Sequence, residues 1–206
     1  MKALINFYAG VSETTVNNLI NFITQQIATQ KPENPLDEII IQISSSGGSS
    51  DHGLLAYNYL KQLSLKKTVI GMGNVDSAAV MIFCAGDERL VMQSCRFTLH
   101  EALTTIQQGI FNGTKLHEIA NLNERITDDY CRVISSVSAK KLHDVKKFVK
   151  QGYVMSSEEA KKFGLAMNIQ DKPYLNSMQN INIMMINNPQ QPQQIKVPGQ
   201  SDQIQS

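Results

Sequence analysis

The segment EIIIQISSSGGS, at Glu38–Ser49, combines an apolar, β-branched run with a turn made of serine and glycine. Such a run is typical of a buried strand, and a helical pattern follows at Leu54–Leu63. The turn is therefore expected between the carboxyl end of a strand and a helix. The order repeats downstream, where we predict a strand at Lys67–Met72, a turn at Gly73–Asp76 and a buried helix at Ser77–Cys84. This alternation predicts an α/β domain whose functional edge lies at the carboxyl ends of its strands.

The residues around this segment extend the same pattern. Ala3–Tyr8 is a short apolar run that predicts a first strand, and Ser12–Thr29 has apolar residues at helical spacing behind a Ser/Thr capping signal. Two further short strands are predicted at Leu90–Met92 and Arg96–Leu99. The first half of the chain is therefore expected to alternate strands with helices.

The second half is predicted to be mainly helical. Lys115–Val137 is long and has one apolar stripe, which we expect to pack within the chain or between subunits. Lys140–Lys150 predicts a basic, solvated helix. Ser157–Phe163 predicts a short helix that begins at a serine cap and ends at Gly164.

The composition changes sharply near the end of the sequence. Asn187–Ser206 is dominated by Asn, Gln, Pro and Ser and contains almost no apolar residues. Such a segment cannot bury enough surface to offset the entropy cost of ordering. We therefore predict a folded domain over residues 1–186 and a disordered tail over residues 187–206, with a docking peptide in the tail as the alternative.

Length and charge exclude several classes of function. The chain has 206 residues, 42% of them hydrophobic and 18% charged, which favours one globular domain. Nineteen basic and eighteen acidic residues give a net charge of +1, so nucleic acid is not an expected partner. No apolar run approaches the ~20 residues of a membrane helix. The three cysteines form no CxxC motif and no secretion signal precedes the first strand, so we expect a cytoplasmic protein with no membrane partner.

Ser77 and His100 are the candidate residues for nucleophilic catalysis. Ser77 follows a turn and opens a predicted helix, which places its hydroxyl near free backbone N–H groups, although a plain helix N-cap is the alternative. His100 directly follows a predicted strand, where its imidazole can be held firmly and stay accessible. The Gly47–Gly48 pair can present an N–H group to an oxyanion or form a plain tight turn. The sequence has no metal-ligand cluster and no phosphate-binding glycine motif, so no cofactor or metal is expected.

Four segments resemble motifs of the Clp protease proteolytic subunit, the ClpP family. The similarity runs in order from about Ala3 to about Asn168, and several independent matches in sequence order are far more specific than any one of them. The similar segments are Ile43–Ser49 with Gly53, Leu54 and Tyr57, beside the family's I-N-S-P-G-G-S...G-L..Y; Met72–Ala79, beside its M-G-x-A-A-S-M-G nucleophile turn; Thr98–Glu101, beside its M-I-H-Q strand; and Met155–Ala160 with Phe163–Leu165, beside its M-S-A-E-E-A...Y-G-L helix.

The resemblance implies a ClpP or crotonase-like fold, with stacked β-sheets flanked by helices and Lys115–Val137 as the family's long handle helix. It also implies a serine peptidase that cleaves peptides or unfolded proteins through an acyl-enzyme. Ser77 would be the nucleophile, His100 the general base, and the N–H groups of Gly48 and Ala78 the oxyanion hole. The implied assembly is a homo-oligomeric ring, either one heptamer or two stacked heptamers.

The sequence departs from the family at the position of the third catalytic residue. Counting back from Met155, the family's aspartate falls on Gly152 and the arginine before it falls on Gln151. Loss of the orienting carboxylate lowers turnover ~10⁴-fold in serine proteases. A second departure is Asp76, which stands where the family has an alanine before the nucleophile.

Three functions remain open from the sequence. The first is a ClpP-like serine peptidase, slow or independent of ATP. The second is an inactive ClpP-like subunit with a structural role in a ring, and the third is a crotonase-type acyl-CoA enzyme, against which the Ser77 and His100 pair argues. The matched region begins at the family's first core strand, so the family's axial loop and N-terminal helix are not expected and a Clp-type ATPase is a doubtful partner. The carboxylates that could replace the missing aspartate are Glu101, Asp128, Asp129 and Asp144.

Overall fold

The computed structural model describes residues 1–106, 108–171 and 181–188. Strands and helices alternate through the first half of the chain, and helices dominate the second half, as the sequence predicts. The strands are β1 Lys2–Tyr8, β2 Glu38–Ser45, β3 Lys66–Asp76, β4 Glu88–Met92, β5 Arg96–Leu99, β6 Tyr153–Ser156, β7 Asn168–Gln170 and β8 Asn182–Asn187. The helices are α1 Glu13–Thr29, α2 Ser50–Gln62, α3 Ala79–Cys84, α4 Gly113–Val137, α5 Leu142–Gln151 and α6 Ser157–Phe163.

These strands form one hydrogen-bonded sheet that divides at β3. The main path runs β6-β5-β3-β2-β1-β8, while β4 pairs with β3 and β7 pairs with β4. Residues Thr68–Gly71 of β3 pair with β4, and residues Asn74–Asp76 pair with β5. The β5–β6 pair is antiparallel and the other strand pairs of the described residues are parallel. The predicted mixed α/β fold is confirmed. The sheet layers that the resemblance implies are two branches of one sheet, and they are joined through β3.

The main core lies between the sheet and the helices that follow its strands. All six residues of α3 are buried, and Phe83 of this helix contacts Phe97 of β5 edge to face, with ring centroids 5.0 Å apart. A second apolar cluster on the opposite face of the sheet consists of Leu4, Ile40, Ile70 and Leu90. Because close-packed interiors resist displacement, the buried α3 fixes the position of the turn that precedes it.

Strand β3 is longer than the sequence predicts. The expected turn at Gly73–Asp76 is wrong, since Asn74, Val75 and Asp76 pair with Arg96, Phe97 and Thr98 of β5. Glycine and asparagine are common turn residues, but pairing with a second strand and the burial of Val75 keep this part of the chain extended. The consequence is that the chain leaves the sheet immediately before Ser77.

Strand β8 is an element that the sequence pattern did not predict. It pairs in parallel with β1, from Asn182 opposite Ala3 to Asn187 opposite Tyr8, and so adds a strand to the edge of the sheet. Ile186 is buried, whereas Ile183 and Met185 are about half exposed. The sheet of the domain therefore extends to Asn187. Most of the predicted tail, residues 189–206, lies outside the described residues.

Helix α4 is buried only near its carboxyl end. Its buried residues are Tyr130, Cys131, Val133 and Ile134. In the amino-terminal half, Leu116 is 47% exposed and Leu122 is 59% exposed, although both belong to the predicted apolar stripe. The stripe is therefore divided into a part that packs within the chain and a part that no other described element covers.

Among the described residues, no helix is both long enough and apolar enough to cross a membrane.

Candidate active site

Ser77 occupies a strained turn between β3 and α3. Its φ of +55° is the one positive φ at a non-glycine position among the described residues. Its N–H donates to the carbonyl of Thr98 at 2.9 Å, and its own carbonyl accepts from the N–H of Val80 at 2.9 Å. Left-handed backbone at a residue other than glycine is costly and is concentrated at functional sites.

The strained turn is inconsistent with the interpretation of Ser77 as the N-cap of α3. Helix α3 begins at Ala79, two residues later than predicted, because Ser77 is left-handed and cannot be helical. Ala78 is the N-cap residue, and no side chain caps this helix. The hydroxyl of Ser77 therefore does not cap the helix, and it has no hydrogen-bond partner among the residues that the structure describes.

The glycine turn packs directly against the turn of Ser77. Gly47 has a φ of +85°, and a Cβ placed on it would lie 2.7 Å from the Cβ of Ser77 and 2.6 Å from the carbonyl oxygen of Asp76. Gly48 has a φ of +141°, and a Cβ there would collide with the carbonyl of Val11. Both positions therefore require glycine, for backbone conformation and for space.

Two backbone N–H groups beside Ser77 are available to a ligand. The N–H of Val11 donates to the carbonyl of Gly47 at 2.7 Å, and the N–H of Ser49 donates to the carbonyl of Val11 at 2.8 Å. These bonds flank Gly48, so its own N–H points to the side away from Val11. The N–H of Ala78 lies at the start of α3, where a helix has no internal acceptor. Within the described ranges neither N–H has an acceptor.

His100 follows β5 and is held by a backbone carbonyl. Its Nδ1 lies 2.7 Å from the carbonyl oxygen of Glu101. A carbonyl oxygen can only accept, so in the neutral imidazole the proton is on Nδ1 and Nε2 is left as an acceptor. This is the tautomer that a general base requires, because Nε2 is then able to take a proton from a hydroxyl.

Ser77, His100 and Gly48 meet in one cleft of about 430 Å³. The structure therefore brings together three of the four predicted site residues, and the fourth, Ala78, follows Ser77 directly. No hydrogen bond joins Ser77 to His100 in the described part of the chain, a separation that is common before substrate binds. The cleft is further lined by hydroxyl side chains and a carboxylate, from Ser46, Ser49, Ser50 and Asp51, and by apolar side chains, from Ala102, Leu103 and Ile126.

Gly152 directly precedes β6, and His100 directly follows β5, the strand that pairs with β6. Leu99 pairs with Tyr153, so the next position along each strand is occupied by His100 and Gly152. Gly152 ends α5 with a φ of +68°, and no heavy atom lies within 4 Å of a Cβ built on it. The position therefore has room for a side chain but supplies no carboxylate.

Two of the four alternative carboxylates form ion pairs elsewhere, and a third lies beside a histidine. The fourth, Glu101, contacts His100 through its backbone carbonyl rather than its carboxylate. Among residues that the structure describes, no side-chain carboxylate is hydrogen-bonded to this imidazole. The three other pairs are Asp128 with Lys146 at 2.6 Å, Asp129 with Arg125 at 3.0 Å and Asp144 with His143 at 3.3 Å.

Asp76 precedes Ser77 but does not line the cleft. It is 8% exposed, and its Oδ2 accepts from Nδ2 of Asn74 at 3.0 Å and from the guanidinium of Arg96 at 3.1 Å. Its negative charge is thus paired on the strand side of the turn. Repulsion between this carboxylate and an oxyanion in the cleft is reduced accordingly.

The cysteines are unsuited to be nucleophiles. All three are buried and unbonded to one another. Burial raises the pKa of Cys84 to about 12, of Cys95 to about 12 and of Cys131 to about 11. Because the thiolate is the reactive form, these side chains are inert near neutral pH, and the serine hydroxyl is the better candidate.

The family model for Clp protease matches residues 3–173 of the chain. The chain is 27% identical over 138 residues to ATP-dependent Clp protease proteolytic subunit 2 of Borreliella burgdorferi, covering 66% of this chain and 68% of that protein. It is 29% identical over 137 residues to ATP-dependent Clp protease proteolytic subunit 3 of Rhizobium johnstonii, covering 65% of this chain and 68% of that protein.

A solved structure shares the fold. The chain superposes on a ClpP1 mutant from Listeria monocytogenes with a TM-score of 0.72 at 19% sequence identity. The similarity covers 82% of this chain and 91% of that chain.

Proposed function

Because the chain belongs to the Clp protease family, we propose that it is a serine peptidase in which Ser77 is the nucleophile and His100 the general base. The observation that supports this most directly is the strained backbone of Ser77, whose hydroxyl shares a cleft with His100. Strain at a strand-to-helix turn exposes a nucleophile in other hydrolases as well. The substrate class is a peptide or an unfolded protein.

The reaction follows from the positions of these groups. Nε2 of His100 takes the proton from the Ser77 hydroxyl as Oγ attacks the carbonyl carbon of the peptide. The tetrahedral oxyanion accepts hydrogen bonds from the N–H groups of Gly48 and Ala78. The imidazolium then gives its proton to the leaving amine, and an acyl-enzyme on Ser77 remains. Water attacks that ester with His100 again as the base, and Ser77 is regenerated with release of the carboxylate product.

The site acts as a dyad supported by a neutral group. A carbonyl fixes the tautomer of His100 but supplies no negative charge to stabilise the imidazolium, unlike the aspartate of a full triad. We therefore expect turnover that is slow for a serine peptidase. Hydrolysis of short peptides needs no unfolding, so it is expected without ATP or an ATPase partner.

An inactive subunit with a structural role is the second candidate. The absence of a carboxylate at Gly152 favours it, since the base then lacks charge stabilisation. The acyl-CoA alternative is less well supported, because the cleft contains a serine and a histidine that such chemistry does not need.

We also propose that the chain assembles into a homo-oligomeric ring. In the amino-terminal half of α4, Leu116 and Leu122 are each about half exposed. Apolar side chains in a row on a helix are typical of a subunit contact. One heptameric ring or two stacked rings fit this proposal.

Labelling with a fluorophosphonate probe tests the proposed function. The probe reacts only with an activated serine and requires no knowledge of the substrate. We expect the parent protein to be labelled, Ser77→Ala to be unlabelled, and His100→Gln to be labelled at least ~100-fold more slowly. Ser46→Ala is the matched control, since it removes another hydroxyl from the cleft and should leave labelling in place. An unlabelled parent would favour the inactive subunit, and a labelled Ser77→Ala would assign the nucleophile to another residue.

A further inference from the structure

We propose that Thr127 is a positioning residue that orients the imidazole of His100 through the peptide group between Glu101 and Ala102. This inference rests on the proposed role of His100 as general base. It assigns to α4 a direct influence on the catalytic site, and it accounts for an oriented histidine at a site without a triad carboxylate.

Two hydrogen bonds join Thr127 to His100 across a single peptide group. The N–H of Ala102 donates to Oγ1 of Thr127 at 3.1 Å. The carbonyl of the same peptide group, which belongs to Glu101, lies 2.7 Å from Nδ1 of His100. In a planar trans peptide the N–H and C=O bonds point in opposite directions, so fixing one fixes the other. Thr127 therefore sets the direction of the Glu101 carbonyl, which accepts the hydrogen bond from Nδ1 of His100.

The surroundings of this peptide group show why an anchor is needed. The side chains of Glu101 and Leu103 are exposed, so little packing restrains this segment. Among the residues that the structure describes, the segment has one other hydrogen bond to α4, from Oγ1 of Thr104 to Oδ1 of Asn123 at 2.8 Å. Asn123 and Thr127 are one helical turn apart and lie on the same face. Of the two bonds, only that of Thr127 reaches the peptide group that contacts His100.

Helix α4 can hold this anchor because the helix is fixed just beyond it. Tyr130 and Cys131, one turn after Thr127, are buried in the core. Thr127 is half-buried, at the boundary between this packed part and the exposed part of the helix. A change in the position of α4 would therefore move the Glu101 carbonyl and release the imidazole.

The test compares Thr127→Val with Thr127→Ser. Valine has the shape of threonine but cannot accept the hydrogen bond from Ala102, whereas serine keeps the hydroxyl. Asn123→Leu is the matched control, because it removes the other bond between the segment and α4 without affecting the peptide group. Each variant is first shown to have the same oligomeric mass as the parent by light scattering.

The first readout is the tautomer of His100, measured by magic-angle-spinning NMR on protein labelled with ¹⁵N-histidine. The resonance is assigned from its loss in His100→Gln. We expect neutral His100 to carry its proton on Nδ1 in the parent, in Thr127→Ser and in Asn123→Leu, and to show a mixture of both tautomers in Thr127→Val. A Thr127→Val spectrum identical to the parent would overturn the inference, whether or not the protein is an active peptidase.

The second readout is the rate of fluorophosphonate labelling. We expect Thr127→Val to be labelled at least ~10-fold more slowly than the parent, and Thr127→Ser and Asn123→Leu to lie within ~2-fold of it. Equal rates in the parent and Thr127→Val would contradict the positioning role while leaving the peptidase proposal intact. An unlabelled parent would contradict the peptidase proposal, and the tautomer measurement would then decide the positioning role.

Discussion

Gly47 lies so close to Ser77 that a Cβ on the glycine would be 2.7 Å from the Cβ of the serine. The contact joins the glycine turn after β2 to the turn of Ser77 after β3. It holds the N–H of Gly48 and the hydroxyl of Ser77 in one fixed arrangement, which is what an oxyanion site requires. The proposed activity is therefore expected to be sensitive to the space at this contact.

Gly47→Ala is expected to disrupt the site and the fold together. The new methyl group meets Ser77 and the carbonyl of Asp76, and alanine is strained at the φ of +85°. We expect the free energy of unfolding to fall by about 3 kcal/mol or more, and fluorophosphonate labelling to slow by about 100-fold. The matched control is Gly152→Ala, which has a φ of +68° but open space around the Cβ; it should lose only about 1 kcal/mol. The free energy of unfolding is measured by urea denaturation. If Gly47→Ala and Gly152→Ala lose equal amounts, backbone strain alone, and not the contact with Ser77, explains the effect at Gly47.

The fold and the position of Ser77 could be predicted because they depend on local patterns. The β-branched runs, the serine and glycine turn and the order of motifs all lie within short segments. The strand at Asn182–Asn187 could not be predicted in this way, because it is ordered by long-range pairing with β1 and has no strong pattern of its own. The turn expected at Gly73–Asp76 was wrong for the same reason, since pairing with β5 overrides local preference.

The orienting group of His100 could not be predicted from the sequence at all. From the sequence, the expected replacements for the family's aspartate are carboxylate side chains, including that of Glu101. The structure instead places the backbone carbonyl of Glu101 on Nδ1. Every residue has such a carbonyl, so residue identity gives no signal for it. Thr127 was missed because its role depends on the direction of one peptide group.

The assembly is expected to depend on the exposed apolar part of α4. Leu122→Glu places a charge on this stripe, where Leu122 is 59% exposed, so it should not harm the folded chain. We expect the ring of the parent to dissociate towards species of 22.9 kDa, measured by multi-angle light scattering. Asn121→Glu, which adds the same charge to an exposed position off the stripe, should leave the ring intact. A parent that is monomeric at micromolar concentration would contradict the proposed ring.

The stability of the domain is expected to depend on pH through Glu38. Burial tends to raise the pKa of this carboxyl, but hydrogen bonds from Lys2, Thr68 and Lys66 outweigh it and lower the pKa below the ordinary value of 4.5. A lowered pKa means that the stabilisation is complete above the ordinary value and is lost as the pH falls through the lowered one. Calorimetry should therefore show a lower melting temperature for Glu38→Gln than for the parent at neutral pH, and a smaller difference at about pH 3.

The exposed Glu33 supplies the control for this measurement. Glu33→Gln removes one carboxylate that has no ion pair among the described residues. Its melting temperature should follow that of the parent at both pH values. A difference between the parent and Glu38→Gln that stays constant with pH would show that shape, and not charge, explains the effect of Glu38.

The last prediction concerns the position of the missing acid. Gly152 precedes Tyr153, which pairs with Leu99, the residue before His100, and the space around a Cβ at residue 152 is open. Aspartate and asparagine both tolerate left-handed backbone better than most residues, so Gly152→Asp and Gly152→Asn should carry a similar strain. They differ in charge, and a carboxylate near His100 would stabilise the imidazolium that forms as Ser77 attacks. We therefore expect Gly152→Asp to be labelled by the fluorophosphonate probe at least ~10-fold faster than Gly152→Asn. Equal rates would mean that the side chain of residue 152 does not reach the imidazole. The neutral carbonyl of Glu101 would then remain the hydrogen-bond partner of His100 in both variants.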